Sequence, residues 1–332
     1  MSFGTHLEEF AGLPVRDFRS QDGKSAQQVE PDQVAWRLRA DTSRERRRAS
    51  NIDWDGDLAA LYEAFVQQVD PTRVVAIVTG MPYFADAYEA QYQVAHLLKH
   101  AASWPNLRAI FLGDVVVEES DVAYMQLCDP TPLLEAFPQL EELRLRGSFS
   151  SWRGPQIPFA PFRHNALRTL VFESGGLSGE AIRAVGRSEI PELEHIEFYF
   201  GDPEYGGDGQ VRDVDWLLEG DRFPKLRHLG LRDSPLQDEI AAAVAHAPVV
   251  ARLASLDLSL GTLGDEGASA LLAGQPLTHL KKLDLHHHFM SDAMMERLRE
   301  ALPEVDLDVS DQEEPEEWDE DEPPQRYIAV SE

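Results

Sequence analysis

Three consecutive histidines are the clearest candidates for chemistry in this chain. His286, His287 and His288 lie between Asp284 and Asp292, and imidazole and carboxylate groups are both zinc ligands. Successive side chains of a β-strand point to opposite faces of the sheet, so the three imidazoles cannot converge on one ion if this stretch is a strand. At most Asp284 and His286 share a face, and we predict that no metal or other cofactor binds here.

The motifs of common catalytic and nucleotide-binding sites are absent from the sequence. It contains no G-x-x-x-x-G-K-[ST], G-x-S-x-G, H-E-x-x-H or C-x-x-C, and each of these spacings is needed to assemble a particular phosphate, acyl-transfer, zinc or redox site. We therefore predict a protein that is not an enzyme. The alternative is a hydrolase or another metal-dependent enzyme that uses the His and Asp residues near 284–292.

The histidines belong to an apolar frame that recurs along the chain. The frame is L-x-x-L-x-L, in which Ile, Val or Phe can replace Leu, and its first anchors lie 33, 27, 26, 33, 27 and 27 residues apart. Seven frames at nearly constant spacing are typical of a repeat protein in which each unit contributes one strand. They are Leu107/Ile110/Leu112, Leu140/Leu143/Leu145, Leu167/Leu170/Phe172, Leu193/Ile196/Phe198, Leu226/Leu229/Leu231, Leu253/Leu256/Leu258 and Leu280/Leu283/Leu285. Leu302/Val305/Leu307 fits as a shorter closing unit.

The unit over residues 253–273 shows the content of one repeat. Its strand frame is followed by a glycine and by an Ala/Leu-rich stretch that begins with Asp265 and Glu266. Acidic residues are favoured in the first turn of a helix, where they meet the positive end of the helix dipole. A unit of strand, turn and helix cannot bury its apolar face alone, so it must stack on copies of itself.

This unit resembles the repeats of leucine-rich repeat proteins of the ribonuclease-inhibitor-like class, which are about 28 residues long. The segment LDLSLGTLGDEGASALL carries the resemblance, which covers roughly residues 70 to 310 and extends to bacterial cytoplasmic proteins of this type without an assigned function. It implies an α/β solenoid, or horseshoe, with a parallel sheet on the concave face and helices on the convex face. The chain departs from the family where Asn or Cys usually follows the strand, since Gly, Ser, Val or His stands there.

Composition and charge restrict the possible partners. The chain carries 59 acidic and 30 basic residues and a formal net charge of −29. Such a charge disfavours nucleic acid and anionic membranes and favours a protein with a basic surface, although it can also serve solubility alone. The single cysteine, Cys128, excludes a disulfide framework. With no signal-peptide pattern and no run of about 18 apolar residues, we predict a cytoplasmic protein.

The chain divides into three predicted segments. Residues 1–56 lack the repeat and are interpreted as a β-hairpin-like cap, residues 57–310 as the solenoid, and residues 311–332 as an acidic C-terminal tail. In the cap, residues 15–18 and 34–39 alternate like two strands, and the Asp-Gly pair between them is a hairpin-turn signal.

The end of the tail differs in composition from its acidic part. Tyr327, Ile328 and Val330 are apolar, and we expect them to dock back on the solenoid, as an added edge strand.

The strand register predicts which side chains line the concave face, because the neighbours of the frame residues alternate to that side. The middle position reads Val78, Phe111, Arg144, Val171, Glu197, Gly230, Asp257, Asp284 and Asp306 along the strands. We predict that a protein partner contacts Arg144, Arg146, Glu173, Glu197, Tyr199, Arg232, Asp257, Asp284, His286 and Asp306. Our hypothesis is that Glu197, Asp257, Asp284 and Asp306 form an acidic strip that receives Lys and Arg side chains. The alternatives are a merely solvated face and a structural scaffold in an assembly.

Overall fold

A twelve-stranded sheet runs through the whole molecule. The computed structural model describes residues 4–19, 28–39, 54–80, 88–148, 159–317 and 324–330. The strands of the sheet lie side by side in chain order, and every neighbouring pair is parallel except the first. They are β1 (Glu9–Phe10), β2 (Leu13–Phe18), β3 (Ala35–Leu38), β4 (Ala76–Thr79), β6 (Ala109–Leu112), β8 (Glu142–Arg146), β9 (Thr169–Glu173), β10 (His195–Tyr199), β11 (His228–Arg232), β12 (Ser255–Asp257), β13 (Lys282–Asp284) and β14 (Asp306–Asp308). Strands β5 (Tyr88–Glu89) and β7 (Met125–Gln126) form a separate two-stranded sheet.

Each of the seven frames contains one strand of this sheet, from β6 to β13, and the strands are parallel as predicted. Helices connect many of them on the other side. They are α1 (Trp54–Gln68), α2 (Ala90–Lys99), α3 (Thr131–Ala136), α4 (Gly179–Arg187), α5 (Asp215–Leu218), α6 (Gln237–Val244), α7 (Asp265–Ala273) and α8 (Asp292–Ala301). The prediction of an α/β leucine-rich repeat solenoid is confirmed.

The frame leucines build the core between sheet and helices. Leu229, Leu256 and Leu283 stand in register on three adjacent strands, and the exposed fraction of each is 0%. Helix α8 begins at a serine cap, since Ser291 Oγ accepts a 3.2 Å hydrogen bond from the N–H of Met294. One face of each strand thus packs against the core, and the intervening residues lie on the opposite, concave face.

The predicted hairpin within residues 1–56 is wrong. Strand β3 pairs with β2 in parallel, with Trp36 beside Arg16 and Leu38 beside Phe18, so these two strands are early units of the solenoid sheet. The antiparallel pair is instead β1 with β2, joined by a tight turn in which Gly12 has a φ of +71°. The predicted Asp-Gly turn lies outside the described residues. Both segments are strands, but β3 is buried on both faces, and period-two alternation does not distinguish parallel from antiparallel neighbours.

The N-terminal segment covers one end of the concave face. Phe10 is buried and its ring lies 5.9 Å from that of Phe111, within a small apolar cluster that also contains Val78. The backbone N–H of Leu7 donates to Asp114, and Arg37 donates to the carbonyl of Leu7. The open part of the concave face therefore begins near β8.

The C-terminal residues 324–330 dock on the solenoid, although not as an edge strand. Ile328 and Val330 are buried, and the N–H of Ala329 donates a 2.8 Å hydrogen bond to the carbonyl of Leu260. Residues 327–330 have no strand conformation; they lie along the turns that follow the strands. Within the described residues, no helix is long and apolar enough to cross a membrane.

Candidate functional site

Side chains of neighbouring strands form rows across the concave face. The backbone register places Phe111, Arg144, Val171, Glu197, Gly230, Asp257 and Asp284 in one row, as predicted. The last member is different, because Leu307 pairs with Leu283 and Asp308 therefore stands beside Asp284. Asp306 lies in the adjacent row, beside Lys282. The predicted place of Asp306 in the acidic strip is thus wrong by two residues.

At the β8 end of the open face, the predicted site residues are paired with one another. Arg146 Nε lies 2.6 Å from Glu173 Oε2 on the next strand, and both side chains are buried. Arg146 also donates to the carbonyl of Val115 and lies over the Phe111 ring. Arg144 pairs with Glu142 at 2.7 Å. This end is closely packed and internally neutralised.

Arg232 lies in the middle of the concave face and binds two of its carboxylates. Its Nη1 lies 3.1 Å from Glu197 Oε2 and its Nε lies 3.2 Å from Asp257 Oδ1, while its guanidinium stacks 4.7 Å above the Tyr199 ring. Asp257 Oδ1 also accepts hydrogen bonds from the N–H and the hydroxyl of Ser259. Two of the four carboxylates of the hypothesised strip are therefore already bound to one arginine.

The C-terminal end of the face retains more free negative charge. Asp284 accepts from Lys282 Nζ at 2.8 Å and from His286 Nδ1 at 2.6 Å. Asp308 accepts from the N–H and hydroxyl of Ser310. Asp306 is exposed and Asp308 is half-buried, and neither pairs with a cationic group among the described residues.

Local contacts shift the pKa values of the buried acids in opposite directions. Burial raises the pKa of Glu197, but contacts with His195, His228 and Arg232 outweigh burial and hold it well below its ordinary value. For Asp284 burial is likewise outweighed by hydrogen bonds from His286 and Lys282, so its pKa is lowered. The pKa of Asp257 is raised, because burial and the neighbouring charge of Asp284 outweigh Arg232. These acids are thus tuned by partners within the chain.

The three consecutive histidines point in different directions, but alternation along a strand is not the reason, because β13 ends at Asp284 and His287 has a left-handed backbone with a φ of 54°. Only His286 joins Asp284. His287 Nε2 lies 3.2 Å from the carbonyl of Tyr327, and His288 Nε2 lies 3.2 Å from the carbonyl of Val309, so both imidazoles bind backbone groups away from the concave face.

Among the described residues, two groups of side chains on this face have the spacing of metal ligands. One is Asp284, His286 and Asp308; the other is His195, Glu197 and His228, which the sequence analysis did not identify. Because His195 and His228 are each isolated in the sequence, neither is predicted to have a function. The signal that could have found them is positional, since both occupy the same place in consecutive frames.

Comparisons with known proteins agree on the fold. Residues 253–272 match a family model described as "Leucine Rich repeat". A crystal structure of a Bacteroides fragilis protein has 24% sequence identity and a TM-score of 0.72, over 83% of this chain and 74% of that one. At this identity the likeness shows the fold alone. No curated protein matches the chain.

Two more distant solved structures have lower scores. An internalin from Listeria monocytogenes has 15% identity and a TM-score of 0.31, over 77% of this chain and 78% of that one. A TLR13–ssRNA13 complex has 15% identity and a TM-score of 0.35, over 90% of this chain and 36% of that one.

Proposed function

We propose that this protein binds another protein through the concave face of its sheet, without catalysing a reaction, and that the partner presents a basic surface. Solenoid repeat proteins use extended concave faces of this kind for binding. The proposal places the protein in the cytoplasm, on the basis of the sequence.

The uneven charge along the concave face carries the proposal. Strands β12–β14 present four carboxylates and one cationic side chain to this side; they are Asp257, Asp284, Asp306, Asp308 and Lys282. The Lys282 ammonium binds Asp284, and Asp257 binds Arg232. Asp308 interacts with Lys282 only at longer range, so Asp306 and Asp308 are the acids of these strands that are least neutralised by described residues. Electrostatic complementarity of this kind increases the association rate and the specificity more than the affinity.

The two ends of the face are unequal in accessibility as well. At the first strands Phe10 already occupies the concave side, and at β8 and β9 the charged side chains are buried in mutual pairs. At β13 and β14 Lys282 and Asp306 are exposed. The charge and the exposure of the side chains therefore both favour binding at the C-terminal third of the concave face, at β12–β14.

The test uses matched pairs of neutralised acids. Full-length protein captures partners from an extract of the organism that produces it, and a captured partner is then purified and its association rate is measured. Asp306→Asn/Asp308→Asn removes two charges from the groove, and Glu296→Gln/Glu300→Gln removes two from the exposed surface of α8. We expect the first variant alone to associate more slowly with the partner.

Salt separates this effect from simple loss of contact. Because the Debye length falls from about 10 Å at 0.1 M salt to about 3 Å at 1 M, the difference between the groove variant and wild type should shrink at high salt. Equal association by wild type and the groove variant at low salt would show that Asp306 and Asp308 are only solvated, and the proposal would be wrong.

A further inference from the structure

The group formed by His195, Glu197 and His228 lies at the centre of the concave face. His195 and His228 are paired residues of adjacent strands, and their rings stack with centroids 3.9 Å apart. Glu197 follows His195 by two residues, so alternation along β10 brings it to the same face. Its Oε1 lies 2.7 Å from Nε2 of His195 and 3.2 Å from Nε2 of His228. Three atoms of the types that bind zinc thus lie within 4.8 Å of one another.

One of these ligand atoms has no hydrogen-bond partner. His228 Nδ1 lies 2.7 Å from the hydroxyl of Ser255 on the next strand, and His228 Nε2 is buried without a hydrogen bond to any described residue. Without an ion, an N–H at Nε2 faces Glu197 Oε1, 3.2 Å away; with an ion bound, the proton would lie on Nδ1 and donate to Ser255, and Nε2 would offer its lone pair to the ion. A second partner that fixes the tautomer of a histidine is the usual companion of a metal-binding imidazole.

The position of Glu197 is fixed from two sides. Gly230 stands beside it on β11, and a Cβ at that position would lie 2.7 Å from Glu197 Cγ, so only glycine leaves room for this side chain. Arg232 holds Oε2 at 3.1 Å, which leaves Oε1 to face the imidazoles. The charge of Arg232 is offset by Asp257, 3.2 Å from its Nε. The Glu197 carboxylate is therefore already oriented, with Oε1 facing the position proposed for an ion.

We propose that His195 Nε2, His228 Nε2 and Glu197 Oε1 bind a zinc ion, with the fourth position open to the groove. Ligand atoms at bonds of about 2.0–2.1 Å around a tetrahedral ion are about 3.3 Å apart, so the 3.2 Å spacing is suitable and the 2.7 Å spacing must open slightly. The two imidazole rings, now 14° from parallel, must also turn so that both lone pairs meet at the ion. The side chains of His195 and His228 keep 28% and 18% of their surface exposed. The ion would thus be accessible to water or to a ligand group of a partner.

The second group on this face lies at other strands, β13 and β14, and shares no residue with the first. Its Asp284 accepts hydrogen bonds from Lys282 Nζ and from His286. This group supplies the matched control.

Zinc binding to the tag-free full-length chain tests the proposal. Isothermal titration with ZnCl2, followed by metal analysis of the dialysed complex, should give one zinc per chain. His195→Gln, Glu197→Gln and His228→Gln should each abolish or greatly weaken binding, while Asp284→Asn/His286→Gln should leave it unchanged. Absence of saturable binding by the wild type, or loss only in the Asp284/His286 variant, would overturn the proposal.

Two further measurements separate a lost ligand from a damaged fold. Ser255→Ala leaves all three ligands in place but removes the partner of His228 Nδ1, so it should weaken zinc binding by about tenfold or more, and Ser255→Thr should restore it. Zinc should raise the unfolding temperature of the wild type but not of the three ligand variants, since an ion stabilises only the state that binds it. Equal zinc-induced shifts in wild type and ligand variants would contradict this site.

Discussion

The backbone N–H of Val330 donates a 2.9 Å hydrogen bond to Oδ1 of Asp233, 97 residues earlier in the chain. Asp233 follows β11 in a left-handed conformation with a φ of 54° and is 0% exposed. Nearby, Arg326 binds Asp238, 2.9 Å away. The C-terminal segment thus spans several repeats, and it joins units that otherwise contact only their neighbours.

Asp233 should tolerate Asn but not Ala. Burial raises the pKa of Asp233 well above its ordinary value, against the opposing hydrogen bond from Val330, so an ionised carboxyl at this position costs free energy near neutral pH. Asn keeps the acceptor, carries no charge and tolerates a left-handed backbone. We expect Asp233→Asn to leave the free energy of unfolding unchanged or higher, and Asp233→Ala to lower it by about 1–3 kcal/mol. Urea titration of both variants measures this; equal losses would contradict it.

Leu256 should be among the costly core positions. It is fully buried and lies between Leu229 and Leu283 on the adjacent strands. Leu256→Ala should lower the free energy of unfolding by about 2–5 kcal/mol, through lost burial and a residual cavity. The partly buried Leu272 on α7 provides the control, and its Ala variant should lose clearly less. A loss below about 0.5 kcal/mol at Leu256 would contradict the packing.

His6 should make stability depend on pH at the N-terminal end. Hydrogen bonding to Asp114, then to Glu119, raises the pKa of His6 to about 9 despite partial burial; the Arg39 guanidinium, 2.8 Å from Nε2, opposes this. A group whose pKa is raised on folding stabilises fully below its unfolded pKa of about 6.5 and loses that contribution as the pH rises through its folded value.

The comparison of wild type with His6→Gln tests this contribution. The difference in the free energy of unfolding should be largest near pH 6, on the order of 1 kcal/mol, and should vanish above about pH 9. A difference that grows between neutral and alkaline pH would contradict the assignment, because the sign of the linkage would be reversed.

The sequence predicts the parts of the fold that depend on a repeated apolar period. All seven frames contain strands because the apolar anchors two residues apart face the core, and a shift of one residue would turn them to the other face of the sheet. The predicted register of the closing unit Leu302/Val305/Leu307 is wrong. Its spacing would pair Val305 with Leu283, whereas the backbone pairs Leu307 with Leu283. An end unit has a neighbour on one side only, so its register is set by the turn and not by the pattern.

The sequence does not predict which side chains of neighbouring strands contact one another at the site. The acids of the hypothesised strip were assigned to the right face, but Arg232 reaches both Glu197 and Asp257 across two strand gaps. Such contacts depend on side-chain conformations between units of 26 to 33 residues. The meeting of His195 with His228 is of the same kind, and it follows only from comparing equal positions in successive frames.

Gly230 and Glu197 should be energetically coupled. A Cβ at residue 230 would lie 2.7 Å from Cγ and 3.2 Å from Cβ of Glu197. The carboxylate of that side chain is held by Arg232 and His195, so it cannot move aside freely. Gly230→Ala should therefore lower the free energy of unfolding by about 1–3 kcal/mol, the usual cost of overpacking.

A double-mutant cycle identifies the cause of that loss. In the Glu197→Ala background the space beside residue 230 is empty, so Gly230→Ala should cost much less there, and the two losses should differ by more than the roughly 0.5 kcal/mol expected of independent sites. Denaturant titration of the wild type, both single variants and the double variant measures the coupling. Strictly additive losses would mean that residue 230 requires glycine for its backbone conformation alone, and that contact with the Glu197 side chain is not the reason.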